Sequence, residues 1–321
     1  MNKNNFKSIY KKELIDFFEY KQRCGFYHER DLYTLLNFDK YLFNNNIHNK
    51  KFNKDLVIDW INNINNLKES TKESYFSMLR QFSIYLYNNN YDSQIIYNNY
   101  YRRDKSFIPY IFTKEEIKIF LNTSKIYYKD KIKNDCIFNI FYLLYSTGIR
   151  ISECLNITIK DIDFNNKTIL LSNTKNEKDR QISFKEKLYN ELYEYNLKYN
   201  YDKNSDDFYF TKPYTKNKYS QKDIYVIFRK VLFKSRIMRT KTGPRLHDLR
   251  HTFAVHNLIE AQNKNEDIYS FLPNLMSYMG HQNISSTEKY LRLVQDAYQD
   301  IRKTNNVIFN DIVKDKFEYE E

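Results

Sequence analysis

In the segment Leu246-His247-Asp248-Leu249-Arg250-His251-Thr252-Phe253-Ala254, the residues Leu246, Leu249 and Phe253 recur at helical spacing and predict one apolar stripe. Arg250 falls at the edge of that stripe, and His247, three residues earlier, lies beside it on the polar side. A guanidinium so close to a core wants an anion, either an internal carboxylate or an external phosphate. Taken alone, the segment reads as a first-turn histidine and a salt-bridged arginine. His247 and His251 at i, i+4 also raise a zinc site. The HExxH pattern needs Glu at 248, however, where this chain has Asp, and Arg250 repels a cation.

Two further segments have the same character. In Tyr145-Ser146-Thr147-Gly148-Ile149-Arg150-Ile151-Ser152-Glu153, a long apolar helix ends at Gly148 and Arg150 opens the next one. Glu153, three residues on, can hold the Arg150 guanidinium, which is also all that a local ion pair requires. In Met279-Gly280-His281, followed by Ser285-Ser286-Thr287-Glu288-Lys289-Tyr290, the Ser285/Glu288 spacing predicts a capped helix start that places Tyr290 in its first turns. With 31 tyrosines in the chain, Tyr290 has no claim by itself. There are only four glycines, and three of them (Gly148, Gly243 and Gly280) lie in or beside these three segments. Where Gly is so scarce, each marks a turn or a close backbone approach.

Outward from these segments, the chain divides in two. Apolar residues recur at helical spacing in Leu14, Phe17, Phe18; in Leu32, Leu35, Leu36, Leu42; in Leu56, Ile58, Trp60, Ile61; and in Tyr75, Met78, Leu79, Phe82, Leu86. These predict four helices in a small all-α domain over residues 1–108, closed by a basic linker from Asp92 to Ile108. A second domain over 109–321 opens with a capped helix at Thr113. It carries an apolar helix at Asp135–Tyr145 and a β-hairpin of Thr168–Ser172 and Gln181–Phe184. Helical patterns follow at Lys187–Tyr199, Ile224–Phe233, Leu246–Leu258, Ile268–Met279 and Ser286–Ile301. The fold class is therefore mostly α with a small β-hairpin or sheet, an α+β chain.

Composition narrows the function. The 321 residues carry a formal net charge of +12, about +5 of it up to Tyr110 and the rest beyond. Both domains are basic, so each can face a polyanion, although an AT-rich codon bias would produce the same lysines. No window approaches the roughly 18 apolar residues of a membrane span. The polar, basic start carries no apolar signal core. Three scattered cysteines, Cys24, Cys136 and Cys154, read as free thiols. These features predict a cytoplasmic protein with no membrane partner, and they exclude disulfide scaffolds and zinc-finger modules.

Arg150 in TGIRISE, the HDLRH box from His247 to His251, Gly280-His281, and Tyr290 nine positions after that histidine together resemble the tyrosine recombinase (phage integrase) family in order and spacing. The turn Thr174-Lys175-Asn176-Glu177-Lys178-Asp179-Arg180 resembles the family's hairpin turn, with Lys175 as its lysine and Lys178 the competitor. The N-terminal four-helix half is similar to the family's core-binding domain, which leaves 109–321 as the catalytic domain. The resemblance implies that Tyr290 is the nucleophile, forming a 3′-phosphotyrosyl link to DNA. Arg150 and Arg250 would clamp the phosphate, and Lys175 would protonate the leaving 5′-oxygen. His247 would act as general acid/base near neutral pH, His281 would hydrogen-bond the phosphate, and Glu153 would orient Arg150. No cofactor and no metal are implied.

The implied partner is double-stranded DNA, bound by a homotetramer on two DNA sites, with an accessory DNA-bending or directionality protein. Val307-Ile308-Phe309 and Ile312-Val313 are candidates for docking on a neighbouring subunit, or for a last helix packed on its own domain. Leu291-Arg292 follows Tyr290 where many relatives place a histidine. The long stretch from His256 to Leu275 suits an element-borne recombinase that integrates, excises or resolves DNA. Two alternatives fit the same residues: a type IB topoisomerase-like relaxing enzyme and a catalytically silent DNA-binding regulator.

Overall fold

The structure, a computed structural model, describes residues 5–26, 29–97, 100–101, 108–172, 179–238, 240, 243–280 and 290. The chain divides into two compact units, Met1–Phe107 and Ile108–Glu321.

In the first unit the four periodic patterns become α1 (Lys11–Arg23), α2 (Glu29–Asn44), α3 (Lys54–Asn62) and α4 (Glu69–Asn88). Their apolar stripes face one another: Leu14, Phe17, Leu35, Phe38, Trp60, Ile61, Leu79 and Phe82 are all buried. Trp60 stacks on Tyr75 with ring centroids 5.2 Å apart and meets Phe38 edge-on. α3 starts at Asn53, whose side chain accepts the Leu56 N–H and so satisfies a donor that the first turn cannot. The stretch expected as a linker is partly core. Ile96 and Tyr101 are buried in this unit, and Tyr101 Oη donates to Asn62 Oδ1 at 3.1 Å. Two isolated apolar residues carry no periodicity, so the sequence does not announce them.

The second unit opens at the capping box of Thr113 and Glu116, which starts α5 (Lys114–Ile126). α6 (Lys131–Thr147) is buried on nearly every side, by Cys136, Ile137, Ile140, Phe141, Leu143 and Leu144 among others. It stops at Gly148, where φ is +62° and a Cβ would lie 2.3 Å from Phe253 Cδ1. That close approach lets a later helix cross the end of α6. Arg150 then caps α7 (Ile151–Asn156).

The sheet is antiparallel in the order β1 (Ile162–Asp163), β2 (Thr168–Leu171) and β3 (Arg180–Ser183), with Ile169 paired to Ile182 and Leu171 to Arg180. The sequence pattern gives the hairpin but not β1, since two residues cannot show an alternation. The second hairpin strand begins one residue earlier than expected, at Arg180. α8 (Glu186–Tyr199), α9 (Gln221–Lys234), α10 (Asp248–Asn263) and α11 (Ile268–Met279) complete the described elements. Phe120, Phe141 and Phe228 meet at 5.0–6.0 Å and join α5, α6 and α9. Among the described residues no helix is long and apolar enough to cross a membrane. The chain is thus mostly helical with one small sheet, as its sequence predicts.

Candidate active site

The site is organised by the C-terminal end of α11. Its last carbonyls have no partner within the helix and carry the negative end of the helix dipole. Three arginines distant in sequence take three consecutive ones. Arg180 Nε donates to Tyr278 O at 3.1 Å, Arg250 Nη2 to Met279 O at 2.8 Å, and Arg150 Nη2 to Gly280 O at 3.2 Å. Gly280 is left-handed, with φ +67°, and a Cβ there would stand 2.9 Å from Arg180 Nη1. Only glycine lets the guanidinium pass so near the backbone.

Arg250 also donates to Gly148 O, at 2.6 Å, so one guanidinium ties together the ends of α6 and α11. The sequence led us to expect a carboxylate or phosphate at Arg250. The partners found in the protein are helix-terminal carbonyls, which hold the group without neutralising it. Burial, then Arg150, lowers the Arg250 guanidinium to about 10, so it stays charged at neutral pH.

Glu153 is nearly buried and serves two arginines. Arg150 Nη1 donates to Oε1 at 2.8 Å, and Arg180 donates through Nη1 to Oε1 at 3.0 Å and through Nη2 to Oε2 at 2.8 Å. The Arg150 backbone N–H reaches Oε2 as well, at 2.8 Å. Burial pushes this carboxyl up, but the hydrogen bonds from Arg180 and then Arg150 prevail and bring it to about 2. Two guanidiniums therefore hold this carboxylate, and the Arg250 guanidinium is near enough to feel its charge. Arg245 does not add to that surplus, because Asp248 accepts from its backbone N–H at 2.7 Å and from Nη2 at 3.0 Å.

His247 stands at the start of α10, on a cleft of about 450 Å³ lined also by Ile149, Gln221, Tyr225, Arg245 and Arg250. Burial, then Arg250, Arg245 and Arg150, pushes its imidazole down to about 4. Part of the residue is open to water, which screens those charges. The direction is downward on every count, so the imidazole is neutral at pH 7. Burial and the neighbouring arginines thus work against the titration near neutrality that the resemblance implies.

Tyr290 is buried against Phe253, Leu258, Leu275 and Met279. Its hydroxyl lies 2.9 Å from His251 Nδ1. Burial raises the phenol, and Arg250 and then Arg150 oppose that rise. A neutral imidazole protonated at Nε2 would accept the phenol proton at Nδ1.

The structure thus brings Arg150, Glu153, His247, Arg250 and Tyr290 into one unit. Lys175, its competitor Lys178, and His281 lie outside the described residues, as does the tail containing Val307–Val313. Sequence reasoning missed the roles of Arg180, His251 and Tyr278. His251 adjoins Arg250, and its spacing from His247 signals only a metal ligand. Tyr278 bears no local signal, and Arg180 served only to mark the end of the hairpin turn.

Three comparisons bear on these positions. A family model described as the phage integrase family matches residues 111–296, more than half of the chain. The tyrosine recombinase XerA of Pyrococcus furiosus is 30% identical over 203 residues, covering 63% of this chain and 64% of that protein. A putative integrase/recombinase, y4rB, of Sinorhizobium fredii is 28% identical over 199 residues, 59% of this chain and 63% of that one. The chain therefore spans a little under two thirds of the length of these curated relatives. Among solved structures, the XerH site-specific recombinase bound to its difH substrate in a pre-cleavage complex is similar in fold, with a TM-score of 0.62. It is 21% identical, with 82% of this chain and 76% of that one covered. The Tn1549 transposon integrase with a circular intermediate DNA gives a TM-score of 0.64 at 18% identity, over 87% of this chain and 94% of that one.

Proposed function

The chain belongs to the phage integrase family, and from that premise we propose that it is a site-specific DNA recombinase that cuts and rejoins strands through a 3′-phosphotyrosyl intermediate. The observation that carries this reading is the charge surplus. Among the described residues, Arg150, Arg180 and Arg250 gather around the single carboxylate of Glu153, beside a buried tyrosine. A surplus of that size, held rigidly by helix-terminal carbonyls, suits a phosphodiester whose charge grows as a fifth oxygen attacks.

In this reaction Tyr290 Oη attacks phosphorus and its proton passes to an imidazole. The bond to the 5′-oxygen breaks, and that oxygen takes a proton from Lys175 of the hairpin turn. One phosphoester replaces another, so a 5′-hydroxyl can reverse the step without ATP. Arg150 and Arg250 hold the non-bridging oxygens, Glu153 fixes Arg150, and His281 adds a hydrogen bond. His247, neutral at pH 7, accepts or relays a proton rather than standing ready as an acid. Residues 1–108 act as the core-binding domain and 109–321 as the catalytic domain, each binding double-stranded DNA in the cytoplasm. Four copies act on two sites, with an accessory DNA-bending or directionality protein, to integrate, excise or resolve an element.

The test is a covalent trap. The protein is incubated with supercoiled DNA carrying the sequences that flank its own gene, denatured in SDS, and assayed for protein joined to a 3′ end. An adduct that Tyr290→Phe loses establishes the nucleophile. Relaxation without recombinants would favour a topoisomerase, and tight binding that never yields an adduct would favour a silent regulator.

A further inference from the structure

The β2–β3 hairpin and α11 are distant in sequence, yet they are fastened at two points. Tyr278 Oη donates to Ser183 O at 2.7 Å, and Arg180 Nε donates to Tyr278 O at 3.1 Å. Tyr278 is held in turn by Phe253 of α10, whose ring lies 5.8 Å away and nearly parallel. Arg180 does more than fasten the hairpin. Its two terminal nitrogens take both oxygens of Glu153, the carboxylate that also holds Arg150, and its side chain is only 13% exposed. Gly280 lies against the same guanidinium. One side chain therefore touches every part that must be in register: the strand leaving the lysine-bearing turn, the carboxylate behind Arg150, and the helix end that leads toward His281 and Tyr290.

We infer that Arg180 is a positioning residue, a strut that sets the hairpin, Glu153 and the end of α11 in one fixed geometry. The inference rests on the recombinase reading for its consequence, which is that the lysine turn and the arginine clamp reach the phosphate together. The fork shape of the guanidinium matters. Three donors in one plane serve Glu153 twice and Tyr278 once, a set that an ammonium cannot reproduce from one point. Arg180 gives its donors to Glu153 and Tyr278 and need not touch DNA for this, so its loss should slow cleavage far more than it weakens DNA binding.

Two measurements on the full chain test it. In hydrogen exchange without DNA, Arg180→Ala should speed exchange in β2, β3 and the end of α11, leaving α5 and α6 unchanged. In the covalent trap at saturating DNA, the same variant should form adduct about 10- to 100-fold more slowly, the scale of a misplacement near 1 Å, with a much smaller change in its DNA dissociation constant. Added guanidinium ion should restore much of that rate, whereas methylammonium should not, and Arg180→Lys should recover only part of it. Arg180→Gln carries the same expectations if the alanine variant does not fold. Adduct formation at the wild-type rate, equal rescue by either cation, or unchanged exchange would each overturn the strut. If the wild type itself forms no adduct, the recombinase reading fails, and the exchange pattern alone decides whether the strut stands.

Discussion

In the first unit two buried acids are matched by lysines, while a third, Asp39, accepts the backbone N–H groups of Lys7 and Ser8. Lys21 Nζ lies 2.7 Å from Asp31, with the two side chains 11% and 12% exposed, and Lys50 lies 2.7 Å from the buried Glu13. In the second unit, Arg150 and Arg180 share Glu153, while Arg250 donates to the carbonyls of Gly148 and Met279. A matched pair is complete in itself and holds helices together. A cluster of three cations around one anion is held in place by dipoles and remains attractive to a further anion. Burial of charge therefore does not by itself mark a site. An unmatched balance does, when carbonyls at helix ends supply the geometry that a second carboxylate would otherwise provide.

The largest effect should come from removing the fork at the centre of the unmatched cluster. Arg250→Lys keeps the charge but cannot span two carbonyls and still face a phosphate. Adduct formation should fall by about 100- to 1,000-fold, or roughly 3–4 kcal/mol, as for loss of an oxyanion-hole donor. A lysine variant with wild-type cleavage would show that charge alone suffices and would remove the contrast between the two units.

The next effect is on stability and has a defined pH window. The Glu153 carboxyl lies near 2 in the folded protein and near 4.5 when free. Its contribution, on the order of 3 kcal/mol, is present above pH 4.5 and is lost as pH falls toward 2. Glu153→Gln should be less stable at pH 7 and show a flatter decline on acidification, measured by denaturant titration across that range. His247 acts in the same direction higher up. Its folded value is lowered by burial and by neighbouring cations, so protonating it costs stability below about pH 6.5 and nothing above.

Gly280→Ala comes third. The left-handed backbone costs an alanine about 1–2 kcal/mol, and the new Cβ would meet the Arg180 guanidinium at 2.9 Å. Melting should drop by several degrees, and cleavage should fall because Arg180 must move. A variant that melts lower but cleaves normally would separate the backbone requirement from the arginine network.

These effects also show what a sequence can and cannot disclose. The four helices of the first unit, α6, α11 and the capping box at Thr113 are legible because periodicity and capping are local rules. Arg150, Glu153, His247, Arg250 and Tyr290 were singled out by motif order, and they do lie together in the second unit. Arg180 and Tyr278 were not legible, because their importance comes from tertiary contacts across 27 and 95 positions of chain, to Glu153 and Ser183 respectively. The downward shift of His247 was equally hidden, since it depends on arginines brought near by folding. Ile96 and Tyr101 read as linker, because a single buried side chain leaves no period to read.

The smallest effect should come from the matched pair, and it tests the contrast most directly. Replacing Lys21 and Asp31 together by Met and Leu removes two charges whose mutual attraction largely offsets the cost of taking them out of water. Lys21 also donates to Gln81 Oε1 at 3.3 Å, which would be lost, and its Nζ lies over the Phe17 ring and 3.7 Å from Met78 Sδ. Stability should therefore stay within about 1 kcal/mol of wild type, in either direction, and cleavage at saturating DNA should not change. The same exchange at Glu153 and Arg180 removes equal numbers of positive and negative charges and leaves the local surplus at two. Cleavage should nevertheless collapse, since Arg150 loses its carboxylate and α11 loses its tether. If both double variants behave alike, the two units bury charge for the same reason; if only the second loses cleavage, the difference lies in what the charges hold in place and not in their number.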